Sequence, residues 1–449
     1  MKIAILPLVH AKKRASRQKA TAFDNVPNTG LLIIKDVIER EYKTIVEYCS
    51  VATINIYDVV LVSLTGVSDA YNLVYTLGRY GLTADDVKPH IVIGGAGLIN
   101  IKTFLEYGDY FVFGRGEKAI IDVIENIKDP KHELPKNVFK RGFHSFDQDF
   151  EIGQTDTLYP YDVPGIEKEV MLGCPYKCSF CFYTHSRKWI KTFSDGFFRP
   201  HHKVWKEETW KDLEFDPKRI KYLSAIDGFS QRLRHAFNKP VTDELILEKF
   251  EEMSKVEFPP NKTIYFKIYQ ICGFPTETQE ERQKFFEFMD SIAERYAHMK
   301  VVIYFVVTPF RAMPLTPAQH CEVDIKTNYR KVFEKLAGTN GTVCQRGNFR
   351  VYVTVNIDSP LSVLKEMIIN RGGVEDSKLV KFLVLNKKIK SYRADEIVHY
   401  ILTKYPNAEK LYRRYEIGEK GEWSYLHTYI PDDILFKHAE ALEKRLGRL

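Results

Sequence analysis

The chain has 449 residues, 44% hydrophobic and 28% charged, with a formal net charge of +7. That length suggests roughly two to three domains, and that composition excludes a disordered chain. No apolar run approaches the ~20 residues that cross a bilayer, and the opening MKIAILPLVHAKKR lacks the order of a signal peptide, so a soluble cytoplasmic protein without a membrane partner is expected.

Strand-like and helix-like patterns alternate through the first part of the chain. Lys2 to Leu8 reads as a strand, Gly30 to Glu41 as a helix, Tyr57 to Leu64 as a strand and Asp69 to Tyr80 as a helix. His90 to Ile93 is a strand that ends in Gly94-Gly95-Ala96-Gly97, and Ile101 to Tyr107 is helical. Tyr110 to Phe113 is a strand, and Gly114-Arg115-Gly116-Glu117 opens a last helix. Such alternation predicts a parallel, doubly wound sheet over residues 1–127, with its ligand edge at the carboxyl ends of the strands. Residues 128–165 show little periodicity and read as a linker. A second α/β unit over 166–373 has strand candidates at Glu167 to Leu172, Ile220 to Ala225, Thr263 to Ile271 and Lys300 to Thr308. Its helix candidates include Thr242 to Lys255 and Thr278 to His298, and residues 374–449 read as mostly helical.

Three of the seven cysteines lie within eight residues, as Cys174-Pro175-Tyr176-Lys177-Cys178-Ser179-Phe180-Cys181. An odd total with such clustering argues for a metal site, not a disulfide framework. Soft thiolates favour iron–sulfur or zinc. Three thiolates on a four-iron cluster leave one iron open, as a catalytic centre requires. The other outcome is zinc, with His185 completing a Cys3His set.

The triplet, flanked by Phe180 and Phe182, resembles the signature of the radical S-adenosylmethionine (SAM) superfamily. That resemblance implies a partial (β/α) barrel, a [4Fe-4S] cluster on Cys174, Cys178 and Cys181, and SAM bound at the open iron. It also implies SAM cleavage to a 5′-deoxyadenosyl radical and a reductant protein such as flavodoxin or ferredoxin. Phe180 lies within the signature itself. By the same resemblance Ser224 or Asp227 would face the SAM ribose, and Ser230 or Arg232 its carboxylate. Gly273-Phe274-Pro275-Thr276-Glu277-Thr278 is similar to the family turn beside the adenine. The stretch from Ser359 to Gly373 resembles the segment that closes the core domain. Only 42 residues separate Cys181 from Ser224, fewer than many relatives carry.

Residues 1–127 resemble the cobalamin-binding-type domain that precedes many radical SAM cores. Gly94, Gly95, Gly97 and Gly114 are the positions where a phosphate or corrin side chain would approach the backbone. The usual Asp-x-His-x-x-Gly motif is absent, and no His occurs between His10 and His90. Two outcomes follow: cobalamin bound without a protein imidazole, or a domain that has kept the fold and lost the cofactor. Cys49 stands alone, which argues against a second N-terminal cluster. Lys12, Lys13, Arg14, Arg17 and Lys19 follow the first strand and, with the net charge, raise a nucleic-acid substrate or a solvated loop. The function expected is therefore radical SAM modification, methylation included, of a substrate such as a nucleic acid. The alternative is a nucleic-acid-binding module with a structural zinc.

Overall fold

In this computed structural model the described residues are 1–9, 29–161, 163, 171–191, 210–211, 213–338, 340–355, 360–386, 389 and 392–449. The basic cluster at 12–19 and most of the 167–172 strand candidate lie outside them. The first unit runs β1 (Ile3–Ile5), α1 (Thr29–Tyr42), β2 (Val46–Tyr48), β3 (Val59–Ser63), α2 (Asp69–Gly78), β4 (His90–Gly94), β5 (Tyr110–Val112), α3 (Ala119–Lys128) and β6 (Val138–Lys140). The sheet order is β2-β1-β3-β4-β5-β6, parallel throughout except for β6.

Strand β3 (VVLVS) is apolar on both faces, as a parallel strand covered on both sides must be. Val59 and Leu61 pack towards α1 and α3, alongside Ile38 and Val123. Val60 and Val62 face the other way, towards Leu73 and Leu77 of α2. The expected helix at 101–107 is a 3-10 turn over Lys102–Tyr107 with a non-helical Phe104. Residues 128–165 are more than a linker. They supply the edge strand β6 and β7 (Phe150–Glu151).

The cysteine region is a small antiparallel pair, β8 (Met171–Leu172) and β9 (Ile190–Lys191), with α4 (Phe182–Ser186) between them. The second unit follows with β10 (Lys221–Ala225), α5 (Gln231–Ala236), α6 (Asp243–Ser254), β11 (Ile264–Cys272), α7 (Gln279–Arg295) and β12 (Val301–Pro309). It continues with α8 (Tyr329–Ala337), β13 (Thr342–Arg346) and β14 (Phe349–Val355). Its sheet order is β10-β11-β12-β14-β13, parallel save β13. Alternate residues such as Phe266, Ile268, Ile303 and Phe305 pack against Phe250 of α6, Phe285 of α7 and Phe333 of α8.

The C-terminal part holds α9 (Pro360–Arg371), α10 (Ser377–Leu385), α11 (Ala394–Lys404), β15 (Leu426–His427) and α12 (Asp432–Arg445). It is not a separate appendage. Val363, Leu364 and Met367 of α9 and Leu379, Val380 and Leu383 of α10 share one core with the α2 side of the first sheet. Strand β15 pairs with β7 across 276 residues of sequence, as Leu426 with Phe150. Buried Asn100 donates to the carbonyls of Ile369 (3.0 Å) and Gly372 (2.8 Å). Fully buried Arg371 donates to Gln319 O and Cys321 O, both at 2.7 Å, so the 370–373 segment does tie several elements together.

Beside Arg371 lies His320, 2% exposed, whose pKa is pushed down to about 4 by burial, with the Arg371 charge adding to it. A folded-state value below the usual imidazole range means the folded chain binds fewer protons than the unfolded one between those values. The stabilisation is therefore full above about pH 6.5 and lost as pH falls towards 4, worth roughly 3 kcal/mol at 1.36 kcal/mol per pKa unit. His320→Gln should flatten the dependence of unfolding free energy on pH across that window, as measured by urea unfolding.

Candidate cluster and cofactor site

The β8–β9 hairpin closes the base of the cysteine loop. Gly173 has φ +72°, and a Cβ there would meet Lys188 O at 2.4 Å, so only glycine fits. Thr184 Oγ1 donates to Cys174 O (3.1 Å) and Tyr176 O (2.5 Å), holding the first turn. Asn238 Nδ2 donates to Lys177 O at 2.9 Å, and Ser179 N to Phe237 O at 2.8 Å, fixing the loop against the end of α5. Ala318 N donates to Ser179 O at 2.9 Å, which ties the loop to the segment after β12. Lys177 Nζ donates to Tyr429 OH at 2.5 Å, a third attachment.

Cys174, Cys178 and Cys181 are free thiols; Cys178 feels the charge of the other two, and Cys181 that of Cys174. Burial pushes the Cys178 thiol up to about 12, against the lowering influence of Lys239. Metal binding must therefore displace a proton from it. Among the described residues no three His, Cys, Asp or Glu side chains gather closely enough to hold one metal ion. A zinc ion needs its donors to converge on a single point. A cube of irons takes each thiolate at a different corner. The donor set is one that soft metals take, iron–sulfur or zinc. His185, the fourth donor of the expected Cys3His site, is buried at 0% exposure with Nε2 3.0 Å from Cys178 O, and its Nδ1 has no hydrogen-bond partner among the described residues.

Asp227 reaches this centre through an unusual backbone. It has φ +52°, followed by Gly228 at +118°, so the chain turns sharply after β10. Its Oδ2 accepts from Lys239 Nζ at 2.7 Å, and both side chains act electrostatically on Cys178. Burial works against the charge on Lys239, but Asp227 and Cys178 outweigh it and its pKa is raised. Ser224 is not at the centre. It is 1% exposed and in register with Ile268, on the face covered by helices, which is the wrong face for the ribose contact expected of it.

Ser230 and Arg232 serve the neighbouring turn. Ser230 caps α5 and donates to Glu281 Oε1 at 2.7 Å. Arg232 donates to both Glu281 oxygens (2.9 and 3.1 Å) and to Thr276 O at 3.0 Å. The two expected carboxylate contacts and the Gly273–Thr278 turn are thus one hydrogen-bonded unit, with Thr278 and Glu281 as a capping box. Within that turn Pro275 is buried, and burial pushes Glu277 up to about 7, with Arg282 opposing.

Phe274 is 3% exposed and lies against Phe237 (ring centroids 4.2 Å), Phe310 (5.2 Å) and Phe180 of the cysteine loop (5.7 Å). These rings give the centre an apolar wall. Gly273 has φ +72°, and a Cβ would sit 2.2 Å from Tyr329 OH, which donates to Asp324. Gly273→Ala is expected to cost about 1–3 kcal/mol for the left-handed backbone alone, plus the broken Tyr329–Asp324 contact. A denaturant midpoint equal to wild type would contradict this.

A cavity of about 390 Å³ lies at the carboxyl edge of the first sheet. Gly94, Gly95 and Gly114 line it at the strand ends, and Leu31, Ile34, Leu61 and Val92 supply apolar walls. Gly97 does not line it. A Cβ there would meet Gly66 O at 2.5 Å, so this glycine serves loop packing. The rim is polar, with Ser63, Thr65 and an Arg115–Glu117 ion pair. Among the described residues no His lines the cavity. One lining residue that sequence reasoning missed is Arg187, at the end of α4 with its guanidinium 4.8 Å from the Tyr183 ring. It follows Cys181 by six residues, so the cavity and the cysteine loop adjoin.

No protein-family model matches the chain, and no curated protein matches it. Among solved structures it is similar to the radical S-adenosylmethionine methyltransferase TsrM from Kitasatospora setae with cobalamin and [4Fe-4S] cluster bound. The identity there is 14% over 100% of both chains, with a TM-score of 0.48. It is also similar to TsrM with tryptophan substrate and a SAM analogue, at 12% identity over 85% of this chain and 89% of that one, TM-score 0.45. The cobalamin-dependent SAM radical enzyme OxsB gives 12% identity over 100% of this chain and 61% of that one, TM-score 0.31. Likeness at this level does not assign the chain to a family.

Proposed function

We propose that the chain is a radical SAM enzyme that holds a [4Fe-4S] cluster on Cys174, Cys178 and Cys181 and a cobalamin in the N-terminal cavity. The observation that carries this reading is the cysteine loop itself: three free thiols in C-x3-C-x2-C spacing on a loop braced from three sides. When bound, the cluster, SAM and cobalamin supply one-electron and group-transfer chemistry that side chains lack.

The protein's own residues then have definable work. Thr184, Asn238 and Tyr429 fix the loop before any metal arrives. Lys239 brings a positive charge to an anionic cluster, and Asp227 holds it there. Phe180 and Phe274 exclude water from the same side. Glycines at the strand ends let a cofactor approach the backbone, and the cavity volume lies within the range of small-molecule sites. No described residue of the lining offers an imidazole to a bound cobalamin. A flavodoxin- or ferredoxin-type reductant belongs to the same reading. The basic residues at 12–19, on which a nucleic-acid substrate rests, lie outside the described residues.

The test is anaerobic reconstitution with iron and sulfide, followed by reduction with SAM present. The expected result is a brown protein that turns SAM over to 5′-deoxyadenosine or demethylated SAM. A colourless protein inert towards SAM would end the proposal.

A further inference from the structure

The face of the second sheet opposite α6, α7 and α8 has no assigned partner. Strand parity brings Leu223, Lys267, Tyr304 and Tyr352 into one row across β10, β11, β12 and β14. Tyr304 and Tyr352 stack with centroids 5.3 Å apart and planes 18° apart, and Tyr304 is 39% exposed. Lys267 Nζ lies 5.1 Å from the Tyr269 ring on the same face. Arg350, one row further from the cysteine loop, is exposed. Neither Lys267 nor Arg350 has an ion-pair partner among the described residues. No Asp or Glu occurs anywhere in these four strands.

These four strands bring cations and phenol rings and no carboxylate, so among the described residues the face is electrostatically incomplete. A half-buried ammonium without a counter-ion favours an anionic occupant. Flat rings beside it favour a flat partner. We infer that this face binds a small substrate made of a planar ring bearing an anionic group, the anion on Lys267 and the ring against Tyr304 and Tyr269. Lys267 precedes Ile271, near the strand end beside Phe274, by four residues. At ~3.3 Å per residue that is about 13 Å, the reach of a small molecule lying along the strands towards the cysteine loop. This inference rests on the radical SAM reading for its chemistry, but not for its binding step.

The test uses the full chain without reconstitution and four probes in isothermal titration: indole-3-acetate and its neutral isostere indole-3-acetamide, and AMP and adenosine. At least one anion should bind roughly tenfold or more tightly than its neutral partner, about 1.4 kcal/mol. Lys267→Met should remove that preference. Whether the carboxylate or the phosphate probe shows it identifies the anion. If Lys267→Met fails to fold, Arg350→Gln should weaken the preference and Tyr304→Ala the binding of the preferred anion, each at an exposed position. Anions that bind no better than their neutral isosteres, or a preference that survives these substitutions, overturn the inference. SAM cleavage by reconstituted wild type is measured alongside. Cleavage without an anion preference removes this inference alone, and a preference without cleavage removes the radical SAM reading alone.

Discussion

Cys178→Ala should leave the folded protein without its cluster and without SAM cleavage. Cys178 is the most enclosed of the three thiols, 7% exposed, between the Lys177 and Ser179 attachments. Its backbone carbonyl accepts from Cys181 N at 3.1 Å, and that bond does not need the sulfur. The loop should therefore keep its shape while the donor set falls from three to two. Two thiolates leave two irons of the cube exposed to solvent, and iron content should drop by roughly tenfold or more under the same reconstitution, about 1.4 kcal/mol or more in affinity. Circular dichroism separates this from misfolding. A Cys178→Ala protein that still reconstitutes and cleaves SAM would show that the triplet is not the ligand set.

Gly94→Leu should weaken cobalamin binding and spare the cluster. Most glycines at this edge cannot be tested cleanly. Gly95 has φ +113°, and its Cβ would meet Leu64 O at 2.4 Å, while a Cβ on Gly114 would meet Gly153 O at 2.6 Å. At Gly94 the nearest neighbour of a new Cβ is Val112 O at 3.6 Å, an ordinary contact. A leucine there is tolerated at its root and takes up part of the cavity of about 390 Å³ with its branches. Equilibrium dialysis of hydroxocobalamin should show at least about a tenfold weaker dissociation constant, with iron content at the wild-type level. Equal binding by the variant would place any cobalamin elsewhere.

Much of this site was legible because its chemistry is written locally. The C-x3-C-x2-C spacing and the Gly273–Thr278 turn each sit within ten residues. Facts that depend on strand parity were not. Asp227 reaches the cysteines because its own positive φ breaks the alternation of β10, while Ser224, three residues earlier, faces the helices. Arg187 gave no local sign of the cavity, since only the hairpin's closure carries it to the first sheet. The pairing of Phe150 with Leu426 is equally non-local, so 128–165 read as a linker. Strand β14 differs. Its alternation is local, written in FRVYVTV as a period-two pattern of burial.

The central claim is a four-iron cluster with one corner left open. Its most direct test is electron paramagnetic resonance of the reduced, anaerobically reconstituted full chain, recorded with and without SAM, beside iron, sulfide and zinc analysis. Iron and sulfide in the proportion of a four-iron cube are expected, with a signal that changes when SAM is added. One zinc per chain without iron, or a cluster signal indifferent to SAM, would contradict it.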